Sequence, residues 1–223
     1  MGVVIVGNSG AARECYWLLR VAREADAATP PFKGFLAWQG YAGQLCELAR
    51  FSLGSSEDYQ PAHDDLFVIG IGKPALRLAV YTWLKALKAS FYTLRHPNVY
   101  VCPSATVGEA NIFQRDCVVQ ANASIGNANF FNGGVIVGHD AVVGDANTFN
   151  LHVGISGHVR LGDANQLAPR CVVLEHAKVG NWNVFAPGAI VYKGCRDHCL
   201  MTGNPALIEK RYLPVKAEGA TSV

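Results

Sequence analysis

The chain has 223 residues, half of them hydrophobic and 16% charged, with a net charge of +2. That length allows one large domain or two small ones with an ample core. The near-neutral balance, with no Lys/Arg stripe, excludes a nucleic-acid footprint, and no apolar run reaches membrane-spanning length.

The start, "MGVVIVGNSG", has no charged region ahead of its apolar part, so it does not read as a signal peptide. Seven cysteines, an odd number with no CxxC spacing, point to free thiols in a reducing compartment, and a cytoplasmic protein is expected. "GVVIVG" reads as a buried strand. In the following "NSGAARECYWLLRVAREA", Ala12, Cys15, Leu18, Leu19 and Ala22 fall on one helical face. "FKGFLAW" reads as a second strand and "DLFVIGIG" as a third. "PALRLAVYTWLKALKA" reads as a helix with Pro74 near its start, and "FYTLRH" as a fourth strand. Alternating strands and helices predict a small α/β unit on a parallel sheet, which binds ligands beyond the strand carboxyl ends. That edge carries Gly7, Asn8 and Gly70 together with the six acceptor-site candidates Ser9, Gly10, Ala11, Ala37, Trp38 and Gly72.

From Val101 the texture changes. Stepping by six reaches Val107, Phe113, Val119, Ile125 and so on to Val191, sixteen consecutive positions that are all aliphatic or Phe. This is a hexapeptide repeat, a signature of the parallel β-helix. A period of eighteen is superposed on it: Asn111, Asn129, Asn147, Asn165 and Asn183 form one column, Phe113, Phe131, Phe149, Leu167 and Phe185 another. Three hexads therefore make one turn, and equivalent residues stack about 4.8 Å apart. The Phe column predicts an aromatic spine and the Asn column a ladder of amide hydrogen bonds. A third column, Gly108, Gly126, Gly144, Gly162 and Gly180, is expected to free tight corners of steric cost. Cys117 and Cys171 share an inward column and Cys195 an inward position of another, so all three read as core.

Hexads such as "VGDANT" and "LGDANQ" resemble the left-handed β-helix acyltransferases, and "MTGNPALIEK" is similar to their exit motif, here Gly203, Pro205 and Ala206. A short α/β unit ahead of such a coil resembles the NeuD/PglD-like sugar acetyltransferases. The likeness runs through "VVIVGNSGAARE", "FVIGIGKPALR", "TLRHPNVYVCPSATVGEANI" and "VGHDAVVGD". It implies a Rossmann-like acceptor-binding domain over residues 1–97, a left-handed parallel β-helix with its C-terminal extension over 98–213, and a flexible tail over 214–223. It also implies acetyl-CoA as co-substrate, bound in a groove between subunits of a homotrimer, and a sugar acceptor, nucleotide-linked, acetylated on an amine or hydroxyl. By matching positions, Thr148, Gly157, Pro169 and Pro187 belong to the CoA groove, and the His of "GHD", His139, is the general base.

The residues support His139 independently. In eighteen-residue register it stacks between Ala121 and Gly157, both small, which leaves its imidazole space. Acetyl transfer needs a base that takes a proton from the attacking amine or alcohol, and histidine titrates near the working pH. The adjacent Asp140 can orient the imidazole, or pair instead with His158 one rung away. His96 reads as a turn residue and His63 and His198 as solvated, while His152 has no clear role. Two positions depart from the resemblance. The family's second histidine, nine residues after the base, contacts the acetyl group; here that position is Thr148, whose hydroxyl can still donate one hydrogen bond to the oxyanion. The family's acidic residues after the second strand are replaced by Ala37 and Trp38, which leaves the nucleotide open: an acceptor with a nucleotide other than uridine, or with none, fits this change.

This reading requires no metal, nucleic acid or membrane partner. Two others stand beside it. The Asp140, His158 and His176 column could hold zinc, as in the γ-class carbonic anhydrases of related coil fold. A trimeric scaffold without catalysis would keep the coil and lose the acceptor site.

Overall fold

The computed structural model describes residues 1–40 and 43–211. The expected tail, 214–223, lies outside the described residues.

The first strand, β1 (Gly2–Val6), is buried almost throughout. Helix α1 (Gly10–Ala25) buries Ala12, Cys15, Leu18, Leu19 and Ala22, the face read from the sequence, together with Tyr16. Strand β2 (Phe32–Ala37), β4 (Asp65–Ile69) and helix α2 (Pro74–Ala86) follow as expected. A 3-10 turn (Cys46–Phe51) and edge strand β3 (Ser52–Ser55) were not foreseen. "SLGS" has little β propensity, and backbone pairing to β2 forms it. "FYTLRH" is not one strand. Ser90–Phe91 (β5) pairs with β4, whereas Leu94–Arg95 pairs with Ile112–Phe113 of the coil. The five strands form a wholly parallel sheet in the order β3-β2-β1-β4-β5.

The rest is a coil of parallel sheets in a repeating stack, consistent with a left-handed β-helix. Two-residue strands recur every six residues and build three faces. Face 1 runs from Leu94–Arg95 through Phe130–Phe131 and Thr148–Phe149 to Val184–Phe185. Face 2 runs from Tyr100–Val101 through Ile136–Val137 to Ile190–Val191, and face 3 from Thr106–Val107 through Val142–Val143 to Gly194–Cys195. The register closes after eighteen residues up to Val191 and after sixteen beyond it, where Lys178 pairs with Gly194. Leu207–Arg211 then folds back antiparallel on Cys199–Thr202 and ends face 1.

The columns stack as expected, with two refinements. Phe113, Phe131 and Phe149 lie face to face, with centroids 4.4 and 4.6 Å apart. The Asn ladder is mostly side chain to backbone. The Asn147 carboxamide accepts the Asn165 backbone N–H at 2.8 Å and donates to the Gly162 carbonyl at 2.9 Å, and all five rungs are fully buried. The Gly column is required by close approach between rungs rather than by corner geometry. A Cβ on Gly126 would lie 2.7 Å from the Gly144 carbonyl oxygen and strike Asp145, whereas the left-handed residues are Ala110, Ala128, Ala146, Ala164 and Trp182. Cys117 and Cys171 are buried and Cys195 packs against the same core.

The α/β unit sits on face 1. Leu94, Ile112 and Phe130 join the core around α1, and Ala110 and Ala128 join the core beneath α2. The vertex between faces 2 and 3 is therefore the one opposite the α/β unit.

Candidate active site

That opposite vertex carries His139. The ring rests against Gly157 one rung on: a Cβ there would lie 2.7 Å from His139 Cε1 and 2.8 Å from Nε2. The space foreseen beside the imidazole is thus filled by the imidazole itself. Asp140 adopts a left-handed conformation (φ 58°), which turns its carboxylate back toward its neighbour. His139 Nδ1 and Asp140 Oδ2 are 2.9 Å apart, and Asn122 Nδ2 donates to Asp140 Oδ1 at 3.2 Å. The hydrogen bond with His139, followed by that from Asn122, holds the Asp140 carboxyl below its usual range. His158 Nε2 is 3.9 Å from the same Oδ2, so the nearer partner of Asp140 is His139. The His158 ring meets His139 edge-on at 5.1 Å and stacks on His176 at 4.9 Å. Donor atoms of His139, Asp140 and His158 lie within 4.8 Å of one another, a set that could close on a metal ion. His176 is outside that set, its Nε2 lying 3.9 Å from Glu175.

A second constellation lies on the other side of the coil, between the α/β unit and face 1. A cavity of about 320 Å³ is lined there by Ser9, Ala11 and Glu14 at the start of α1 and by Gly72 and Lys73 ahead of α2. The coil contributes Phe130, Asn132, Thr148, Asn150 and Gln166. The N-termini of both helices, sixteen and thirteen residues long, meet at this cavity. Their N-terminal N–H groups, which no side chain caps among the described residues, and the exposed Lys73 favour an anion there, while the Glu14 carboxylate opposes one.

The six residues read as the acceptor edge are therefore separated. Ser9, Ala11 and Gly72 line the cavity just described, with the exposed Gly10 opening α1 beside it. Ala37 lines a different hollow with Asn8, Cys46 and Ser52. Trp38 lines a third, where its ring meets Trp83 edge-on at 5.2 Å, with Trp182 of the coil alongside. Of the groove positions, Gly157 touches His139, while Pro169 and Pro187 are exposed in a column with Leu151 at the vertex between faces 1 and 2. Thr148 is buried, and its hydroxyl donates to the Gly72 carbonyl at 2.7 Å.

Sequence reasoning missed Arg77. Its guanidinium is fully buried on the inner stripe of α2 with Pro74, Val80 and Leu84, and burial pushes its pKa down to about 9, so it stays charged at neutral pH. A charge at that register of an otherwise apolar helical stripe was the available signal.

No protein-family model matches the chain, and no curated protein matches it. Solved structures do. Perosamine N-acetyltransferase from Caulobacter crescentus, as a histidine-to-asparagine variant in complex with CoA and GDP-perosamine, superposes with a TM-score of 0.81 at 21% identity. That match covers 94% of this chain and 97% of the other. The acetyltransferase domain of PglB from Neisseria gonorrhoeae gives a TM-score of 0.78 at 18% identity, over 93% of this chain and 98% of that one. WeeI from Acinetobacter baumannii gives 0.64 at 17%, over 93% and 99%. Over nearly its whole length, then, this chain has the fold of the hexapeptide-repeat sugar acetyltransferases.

Proposed function

We propose that the protein is an acetyl-CoA-dependent acetyltransferase that acylates an amine or hydroxyl of a nucleotide-linked sugar. The observation that carries this reading is the His139–Asp140 pair, hydrogen-bonded at 2.9 Å on an open vertex with the imidazole pressed against Gly157. With Nδ1 turned to Asp140, Nε2 is free to take the proton of the attacking group. The acceptor nitrogen or oxygen bonds to the thioester carbonyl carbon, the C–S bond breaks, and the proton passes from Nε2 to the departing CoA sulfur. Among the described residues the backbone N–H of Gly157 makes no backbone hydrogen bond, and it supplies a donor for the oxyanion beside the base.

The α/β unit is read as a Rossmann-like acceptor domain ending near residue 97. Its parallel order β3-β2-β1-β4-β5 and the two helix N-termini at the cavity suit a nucleoside diphosphate. The comparison proteins support this, because perosamine N-acetyltransferase was crystallised with CoA and GDP-perosamine.

The acceptor cavity and His139 lie on opposite sides of the coil, so one chain does not assemble both halves. A trimer does. The outward column of face 2 is Tyr100, Val118, Ile136, Gly154, Val172 and Ile190, apolar throughout, with Tyr100 and Ile136 largely exposed. No charged residue occurs from 118 to 138. Three copies that turn face 2 toward a common axis bury this surface and bring the His139 vertex of each against the neighbour's vertex carrying Leu151, Pro169 and Pro187. That apolar ridge suits one wall of a pantetheine groove.

Turnover of acetyl-CoA with a panel of nucleotide-linked amino sugars, read as thiol release, tests the reading. No turnover with any acceptor favours the scaffold. Light scattering should give about three times 23.9 kDa, and a fully active monomer removes the shared site. The zinc-dependent reading rests on the His139, Asp140 and His158 donor set, and loss of activity on chelation would promote it.

A further inference from the structure

We infer that Arg77 and Thr148 are positioning residues that clamp the Gly72 loop onto the coil and thereby set the shape of the acceptor side of the cavity. The inference rests on the acceptor reading of that cavity, and deepens it.

A guanidinium has five N–H donors, and here each finds an oxygen. Nε donates to the Ala128 carbonyl at 2.6 Å, Nη1 to Ile71 at 2.7 Å and Gly72 at 3.1 Å, and Nη2 to Ala146 at 2.9 Å and the Thr148 hydroxyl at 2.8 Å. No carboxylate pairs with Arg77 among the described residues. Its charge is held by carbonyl dipoles and by the Phe130 ring, 5.9 Å from Cζ. Ala128 and Ala146 occupy the same left-handed corner position on successive rungs, so one side chain grips two turns of the coil. Ile71 and Gly72 belong to the loop between β4 and α2. The Thr148 hydroxyl accepts from Arg77 and donates its single proton to Gly72, so the Gly72 carbonyl is held from both sides.

A fully buried cation is costly where a neutral apolar side chain would fill the same space. Stability alone does not call for it. What the arrangement does provide is a fixed orientation of Gly72. A Cβ on Gly72 would meet nothing within 4 Å, and its φ is not left-handed, so neither packing nor backbone strain demands glycine there. Gly70, two residues earlier, differs: a Cβ there would lie 2.7 Å from Ala12 Cα. The open side of Gly72 borders the cavity together with Lys73 and Thr148. The clamp thus presents a bare backbone and the first turn of α2 to a ligand, at a set distance from the coil. It also commits the Thr148 proton, which leaves none for an acetyl carbonyl.

The test compares wild type with Thr148→Val, Thr148→Ser and Arg77→Lys. Amide hydrogen exchange of residues 70–76 should rise about tenfold in Thr148→Val, the worth of one lost hydrogen bond, and return to wild type in Thr148→Ser, while coil segments stay protected. Unchanged exchange in Thr148→Val overturns the clamp, whether or not Arg77→Lys folds. Calorimetric affinity for GDP or UDP, whichever wild type binds, should fall about fivefold to tenfold in Thr148→Val, with the KM for acetyl-CoA within twofold of wild type. Faster exchange with unaltered nucleotide affinity makes the contact merely structural and overturns the positioning role. Turnover slowed by about a hundredfold or more, with acceptor affinity kept, returns Thr148 to the acetyl group and also overturns it. If wild type binds neither nucleotide, the nucleotide-sugar reading fails, and the exchange result still decides the clamp.

Discussion

Gly157→Ala separates the geometry of the base from the stability of the coil. The new methyl carbon would sit 2.7 Å from His139 Cε1 and 2.8 Å from Nε2. Non-bonded carbons settle at about 3.5–4.0 Å, so the ring must retreat by about 1 Å. It can do so, because the His139 side chain is half exposed, but the 2.9 Å contact with Asp140 does not survive the movement. Gly157 is not left-handed, so its backbone accepts alanine, and the loss of chain entropy in the unfolded state, worth about 0.4–1 kcal/mol, offsets the loss of the exposed His139–Asp140 contact, worth about 0–1 kcal/mol. A misplacement of about 1 Å in a catalytic group costs about 10²-fold, or about 2.7 kcal/mol of barrier. Steady-state thiol release should therefore show kcat lower by about that factor, with the melting temperature little changed. Combining the change with His139→Ala should add nothing, since both act through one side chain. Wild-type kcat in a folded Gly157→Ala variant would refute the assignment of His139 and its seat.

His139→Ala alone should lower kcat by about 10²- to 10⁴-fold while CoA binding, measured by calorimetry, is kept. Asn147→Leu should destabilise the coil by about 3 kcal/mol in chemical denaturation, because it strands the Asn165 N–H and the Gly162 carbonyl inside the core. Asp65 is buried, which alone would raise its pKa, but the Lys33 ammonium, the Tyr59 hydroxyl and the Ala62 N–H outweigh burial and hold the carboxyl below its usual range. A depressed folded-state pKa stabilises above the unfolded value, about 3.9, and that contribution is lost as pH falls through the folded value. The stability gap between wild type and Asp65→Asn should therefore be constant from neutral pH down to about pH 5 and shrink below it. A gap independent of pH down to acid unfolding would show that Lys33 and Tyr59 do not stabilise the ionised form.

The hexad from Val101 to Val191, the Phe and Asn columns and the buried face of α1 were all legible in the sequence, because each is a strict period imposed by stacking or by one helical stripe. The His139–Asp140 contact was legible only as one of two pairings, because His158 one rung away competes for the same carboxylate, and the structure decides it at 2.9 Å against 3.9 Å. Local pattern could not assign the Gly column its cause, because the clash it avoids is with the next rung, eighteen residues away. Nor could it divide "FYTLRH", whose halves differ only in which sheet offers them a partner. The acceptor edge read as one surface became three hollows, because loops that end a parallel sheet diverge according to what each packs against. The Thr148 hydroxyl and the Arg77 guanidinium are the sharpest case. In sequence they are 71 residues apart, and only the docking of α2 on the coil, with every donor of a buried cation needing an oxygen, decides what they do.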